Sequence, residues 1–251
     1  MIRIPFLDPL RPDEFPPVDE ALREPDGLLA GGGDLEPERL LAAYRRGIFP
    51  WYSRGQPILW WSPDPRTVFA TDRMHVPHRL ERWLKTCDWT LRADTTFETV
   101  VRACAAPRAK QRGTWIDARM RDAYLRLHAL GHAHSVEAWD GETLVGGIYG
   151  VAIGRMFFGE SMFSAEPNGS KVALLALAHA LRNWDFPLLD AQVASPHLFT
   201  LGAVEIDRGA FCARVAELTA RPGVDGSWRS VFRDISPPDL VGPNHRAPAA
   251  S

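Results

Sequence analysis

The stretch that decides the fold is AHSVEAWDGETLVGGIYGVAIGRMFFGESMF, residues 133–163. It divides into three apolar-rich runs separated by Asp140-Gly141 and Gly154-Arg155. Glycine in a two-residue connection supplies the positive φ that a tight hairpin needs, so Asp-Gly between apolar runs predicts paired strands. Three antiparallel strands in a meander follow. The next segment has a different period. Asn168 or Ser170 opens a helix that runs to about Trp184, with an almost continuous apolar face in VALLALAHAL. FPLLDAQV (186–193) reads as a buried strand, HLFTLG (197–202) as a short helix ended by Gly202, and AVEIDR (203–208) as another strand. A last helix covers roughly Gly209 to Thr219.

Upstream of the meander the pattern is helical from Pro77. Leu80, Trp83 and Leu84 share one face of PHRLERWLKT. Asp94 is placed to cap a helix whose Phe97, Val100, Val101 and Cys104 form an i, i+3, i+4, i+7 stripe. A third helix is expected from Asp117 to Gly131, with Met120, Leu127 and Leu130 inward. A strand–helix–strand crossover after an antiparallel meander predicts an α+β domain, a mixed sheet with helices on both faces. Residues 1–64, rich in Pro, Gly and Trp, read as a small N-terminal domain. Its one regular helix is expected from Pro37 to Arg46, with Asp34 as cap and Gly47 as stop. Residues 65–236 form the main domain, and the Pro/Ala-rich 237–251 is expected to be a disordered tail.

Composition excludes several classes. The 251 residues are 45% hydrophobic, enough for a sizeable core. Their formal charge of -2 announces no polyanion binder. Cys87, Cys104 and Cys212 are widely spaced, which argues against a zinc knuckle or a disulfide framework. His132 and His134 lack a nearby third ligand and read as structural, so no metal is expected. The N-terminus lacks the layout of a signal peptide, and no apolar run approaches the ~18 residues of a membrane span. A soluble cytoplasmic protein with no membrane association is the expectation.

Ten segments, in order, resemble the leucyl/phenylalanyl-tRNA–protein transferase family. They are EPDGLLAGGGDL (24–35), AYRRGIFPWY (43–52), ILWWSPDPR (58–66), GTWI (113–116), AYLRLHALGHAHSVE (123–137), LVGGIYG (144–150), FFGESMFS (157–164), NGSKVALL (168–175), LLDAQ (188–192) and HLFTLGA (197–203). The element order is also similar to the GNAT acyltransferase fold. The resemblance implies transfer of Leu or Phe, less well Met, from aminoacyl-tRNA to proteins with N-terminal Arg or Lys, marking them for degradation. It implies no cofactor, because the ester to tRNA already carries the activation. Its partners would be the acceptor end of a tRNA and the N-terminus of a protein. If such a protein touches only the end of a tRNA, a few local cations would suffice.

Aminolysis of an ester by an α-amine needs alignment, a proton acceptor and oxyanion stabilisation rather than an activated nucleophile. Asp190 and Gln192 stand at i and i+2 on a short strand and are expected to face one side. The resemblance implies a relay in which Asp190 polarises Gln192, whose carbonyl receives the amine's proton. The residues alone allow Asp190 simply to satisfy backbone donors. Glu160, among aromatics, needs a cation or donors. The resemblance implies an incoming Arg or Lys, and an internal Arg is the alternative. By resemblance the aminoacyl pocket has Ile148, Phe157, Met162, Leu174, Leu181 and Leu189 as walls, residues otherwise read as core. Trp51 and Trp115, with Tyr124 nearby, are implied at the tRNA 3′-adenosine, for which stacking on an aromatic ring is the physical requirement. Trp60 and Trp61 are expected to fill inter-domain packing. Arg79, Arg82 and Lys85 are candidates for acceptor-stem phosphates, against the alternative of a solvated helix face. Three rivals stand beside this reading. A CoA-dependent acetyltransferase of the same fold is disfavoured by the poor glycine content of SAEPNGSK (164–171). The others are a silent binding module and a sister transferase with another donor or acceptor.

Overall fold

The computed structural model describes residues 3–106, 116–232 and 235–241. The N-terminal part holds β1 (Phe6–Leu7), β2 (Leu28–Gly32), α1 (Pro37–Tyr44), β3 (Phe49–Pro50) and β4 (Leu59–Trp61), its strands ordered β1-β2-β4-β3. The main part follows with β5 (Arg66–Ala70), α2 (His78–Leu84), β6 (Thr90–Ala93), α3 (Phe97–Ala105) and α4 (Ala118–Ala129). Then come the meander β7 (Ala133–Asp140), β8 (Thr143–Ile153) and β9 (Met156–Ser164), α5 (Gly169–Asn183), β10 (Leu188–Gln192), α6 (Pro196–Phe199), β11 (Val204–Ile206) and α7 (Arg208–Thr219). The seven-stranded sheet has the order β11-β5-β10-β9-β8-β7-β6. Among the described strands of this sheet, only β9 and β10 pair in parallel, which is the geometry that the α5 crossover dictates. This is the expected mixed sheet flanked by helices.

Two core clusters lie on the two faces. On one, α3, α4 and α7 pack with the N-terminal part, so Leu40, Tyr44 and Trp60 share a core with Tyr124, Tyr149 and Phe158. On the other, α2 and α5 cover Ile148, Phe157 and Leu189. Helix α5 comes unusually close to β8. A Cβ on Gly146 would lie 2.3 Å from the Gly169 backbone, so neither position tolerates a side chain.

Several local expectations need correction. Asp34 is not the cap of α1; Glu36 occupies that position, while Asp34 accepts the Glu36 N–H and pairs with Arg39. Asp94 does not cap α3, because its φ of 52° turns the chain and its carboxylate points into the core. The amides of Thr95 and Thr96 are taken instead by Glu137, reaching across from β7. Leu130 is 60% exposed, because α4 ends at Ala129 and the following turn swings it outward. Strand β5 was not legible as a strand, yet it sits between β10 and β11 and is antiparallel to both. Within the expected tail, Pro237–Val241 forms a short 3-10 helix whose Leu240 is buried against the α5 face. Residues 242–251 lie outside the described residues.

Candidate active site

Two irregularities in the sheet build the site. On β9, Tyr149 pairs with Ser161 and Gly150 with Gly159, so Glu160 is an extra residue, a β-bulge. The bulge reverses the side-chain phase of the strand. Phe157 and Met162, of opposite parity, therefore both face α5, while Glu160 points to the N-terminal face. On β10, the register shifts between Asp190 and Gln192, and Gln192 takes a φ of 64°. The pairing of β9 with β10 stops at Asp190↔Phe158, although β9 continues to Ser164. Beyond that point the two strands separate, and the Gln192 side chain reaches across to Glu160, Nε2 donating to Oε1 at 2.8 Å.

Glu160 is held by three hydrogen-bond partners, Gln192 and two phenols. Tyr44 Oη from α1 lies 2.7 Å from Oε1, and Tyr124 Oη from α4 lies 2.5 Å from Oε2. The two hydroxyls are 2.8 Å apart. Burial pushes the Glu160 carboxyl up to about 7, and nearby Asp190 adds to this. Hydrogen bonds from Tyr124, Tyr44 and Gln192 pull the other way without cancelling the cost of burial. The phenols of Tyr44, Tyr124 and Tyr149 are raised well above 10, burial being the largest cause, so all three are neutral donors at physiological pH.

Asp190 is fully buried and doubly bound. Arg66 Nε donates to Oδ1 at 2.8 Å and Arg66 Nη2 to Oδ2 at 2.6 Å, a fork-to-fork pair. The Gln192 backbone N–H also donates to Oδ1, at 2.9 Å. Arg66 is itself fixed by Gly47 O at 3.0 Å and lies between the rings of Phe49 and Phe211, 4.7 and 4.5 Å from their centroids. Simple alternation does not describe this pair, since the bulge intervenes. Asp190 grips the Gln192 main chain, and the Gln192 amide goes to Glu160.

The comparisons with known proteins agree on one family. A family model described as leucyl/phenylalanyl-tRNA protein transferase matches residues 68–216, and the model of its N-terminal domain matches residues 33–64. A leucyl/phenylalanyl-tRNA–protein transferase of Xanthomonas axonopodis pv. citri (strain 306) is 61% identical over 229 residues, covering 90% of this chain and 91% of that protein. The one from Xylella fastidiosa (strain M23) is 56% identical over 237 residues, covering 94% and 98%. The chain belongs to the leucyl/phenylalanyl-tRNA–protein transferase family. It is an aminoacyltransferase by that membership. Among solved structures, that of L-PGS from Bacillus licheniformis superposes with a TM-score of 0.38 at 11% identity, over 66% of this chain and 53% of that one.

The remaining expected site residues of this family member fall as follows. Ile148, Phe157, Leu174, Leu181 and Leu189 are buried in one cluster on the α5 side of the sheet, with Met162 packed against it. Trp51 is 43% exposed and packs against Trp61, ring centroids 5.7 Å apart. Trp61 Nε1 donates to Trp51 O, which fixes the Trp51 backbone, while Trp60 is fully buried. Trp115 lies outside the described residues. Tyr124 is not available for stacking on adenosine: it is fully buried, and its hydroxyl belongs to Glu160. Just past the end of α2, Lys85 is ion-paired with Glu81 at 2.9 Å. Arg79 lines a cleft of about 730 Å³ together with Trp83, Trp89 and Lys171, and Arg82 is not one of its walls.

Sequence reasoning missed Arg66 and Tyr44. The signal for Arg66 was a buried carboxylate on β10 that needed a cation, with an arginine opening the apolar run RTVFA (66–70). The amides opening α5 are occupied as well. Gly169 N–H bonds Glu166 O at 3.0 Å, and Ser170 N–H bonds Ser164 Oγ at 2.8 Å. A pyrophosphate cradle needs such amides free, which weighs against the CoA-dependent rival.

Proposed function

We propose that this chain transfers Leu or Phe, and less well Met, from aminoacyl-tRNA to the α-amine of proteins that begin with Arg or Lys, in the cytoplasm and as a mark for degradation. The observation that carries the reading is the junction at the β9/β10 opening. There a buried carboxyl and an amide, Glu160 and Gln192, meet on the N-terminal face, and the apolar cluster lies on the α5 face of the same strands.

The donor side chain would enter that cluster, with Ile148, Phe157, Met162, Leu174, Leu181 and Leu189 as walls. Met162 suits a pocket that accepts both an aliphatic and an aromatic group, since a thioether fills irregular space and meets rings well. The terminal adenosine would stack on exposed Trp51, and Trp115 keeps the same role. Arg79 would meet phosphates from the cleft beside α2, with Arg82 on the same helix and Lys85 at its end, although the Glu81 pair reduces what Lys85 can offer.

The acceptor's cationic side chain would bind Glu160. Its α-amine would then lie near Gln192, whose Nε2 is committed to Glu160, leaving the carbonyl Oε1 to accept an amine N–H. The amine nitrogen attacks the ester carbonyl, the new C–N bond forms and the C–O bond to the tRNA ribose breaks. The amine's proton leaves and the ribose oxygen gains one. An α-amine is partly neutral at cellular pH, so alignment rather than strong basicity is the demand. Asp190 supports this from behind. With both oxygens engaged by Arg66, it holds the strained Gln192 backbone and thereby aims the amide.

A panel of charged tRNAs tests the donor side. Leu-, Phe- and Met-tRNA should donate and Ile- and Val-tRNA should not, because a β-branched side chain widens where the pocket begins. Equal use of Ile-tRNA would overturn the pocket assignment.

A further inference from the structure

The Glu160 cluster contains more hydrogen-bond contacts than hydrogens, if the carboxylate is ionised. Tyr44 Oη, Tyr124 Oη and the two Glu160 oxygens make three O···O contacts, at 2.7, 2.5 and 2.8 Å. Each such contact needs one hydrogen between its oxygens. Two phenols bring two. One pair of oxygens would then face each other at hydrogen-bonding distance with lone pairs alone. A proton on the carboxyl removes the deficit and gives a closed directed ring. Oε2–H donates to Tyr124, Tyr124 to Tyr44, and Tyr44 to Oε1, where the Gln192 amide also donates. The assignment is self-consistent, since Oε1 already has two donors and Oε2 is the oxygen left to carry the hydrogen.

We propose that the unliganded protein holds a proton on Glu160, closing a ring with Tyr44 and Tyr124, and releases it to solvent when a cationic acceptor side chain binds. This rests on the acceptor role proposed above for Glu160. Tyr44 and Tyr124 are positioning residues in this account: they hold the carboxyl, and through it the Gln192 amide, without touching the reacting atoms. The groups facing Glu160 are Tyr44 on α1, Tyr124 on α4, Tyr149 on β8, and Gln192 and Asp190 on β10, the last neutralised by Arg66 on β5. Among the described residues Tyr149 Oη has no hydrogen-bond partner. Burial favours the neutral acid in the same direction as the count of hydrogens. An arriving guanidinium or ammonium reverses that preference, because an opposite charge at contact distance favours the ionised carboxylate. Acceptor binding and proton release are therefore linked. Below the carboxyl's own titration range, affinity falls about tenfold per pH unit.

The test uses the full chain and a peptide carrying a desamino-arginyl group at its N-terminus. That ligand keeps the guanidinium and has no α-amine to titrate. Calorimetric titration at about pH 6, in two buffers of different ionisation enthalpy, should show about 0.9 proton released per peptide bound. At about pH 8.5 the release should vanish. Infrared difference spectra at the lower pH should contain the carbonyl band of a protonated acid, which disappears on adding peptide. Glu160→Gln mimics the neutral acid, keeps the ring closed and should keep its fold, yet show neither the band nor proton release. No protonated-acid band in the wild type, or binding without proton release at the lower pH, overturns the proposal. Transfer from Phe-tRNA to an Arg-starting peptide is measured alongside at the higher pH. Transfer without the band sinks the ring and leaves the function standing. Absence of transfer sinks the function, while the band still decides the ring.

Discussion

Asp190→Ala looks like the natural test of the active site, and the structure predicts what it does to stability. The substitution removes the carboxylate bonded to Arg66, which is 1% exposed and lies between two aromatic rings. Breaking a buried ion pair by deleting one partner leaves an uncompensated charge and costs about 3–5 kcal/mol. Gln192 N–H also loses its acceptor, at a residue whose φ is already positive. For a chain of this length the loss corresponds to about 6–20 °C in Tm. The double variant Arg66→Met with Asp190→Leu should behave differently. Replacing both members of a buried pair with apolar groups of similar volume is often neutral or stabilising. We expect thermal unfolding followed by circular dichroism to show a large loss for Asp190→Ala and recovery of most of it in the double variant. Peptide transfer should stay low in both, because neither fixes the Gln192 backbone. A double variant that recovers stability and full turnover would refute a role for Asp190 beyond filling the core. An Asp190→Ala protein as stable as wild type would refute the energetic reasoning itself.

Other consequences are measured more simply. The Glu160 carboxyl is raised from 4.5 to about 7, so its contribution to stability is fully present below about 4.5 and lost as pH rises through about 7. The loss amounts to about 3 kcal/mol, and urea unfolding should find Glu160→Gln more stable than wild type at about pH 8, the gap closing toward about pH 4.5. Trp51→Ala should raise the KM for aminoacyl-tRNA by about 1–3 kcal/mol of lost stacking while leaving Tm within about 1 °C, because the ring is exposed. Asp94→Ala removes the acceptor of His134 and of the Ser135 and Trp228 amides. It should destabilise by about 3 kcal/mol or more, and limited proteolysis should cut the segment after Gly226 first. If Arg79 contacts phosphate, Arg79→Gln should reduce the salt slope of tRNA binding by about one.

The parts of this protein that obey regular periods are legible in its sequence. The β7–β8–β9 meander announced itself through Asp140-Gly141 and Gly154-Arg155, and α5 through its apolar face. What the sequence did not yield depends on departures from regularity. A bulge at Glu160 reverses the phase of β9, and a second one at Asp190–Gln192 breaks the i, i+2 rule on which their shared face was predicted. No local pattern encodes either, because each is imposed by pairing with a neighbouring strand. Arg66 and Asp190 lie 124 positions apart, and Tyr44 and Glu160 116 apart. Such partners become visible only when the sheet and α1 bring them together. Tyr124 shows the opposite failure. Its chemistry suited a stacking surface, but one face of an amphipathic helix carries it inward to a buried carboxyl. Asp94 failed as a cap for a related reason, since the pull of His134 and two backbone amides exceeded that of the adjacent helix.

The most direct measurement is transfer of labelled leucine from Leu-tRNA to a peptide beginning with Arg, beside the same peptide beginning with Gly. The account predicts that label enters the Arg peptide alone, and that Glu160→Ala abolishes the preference. Label entering both peptides equally, or neither, would contradict it.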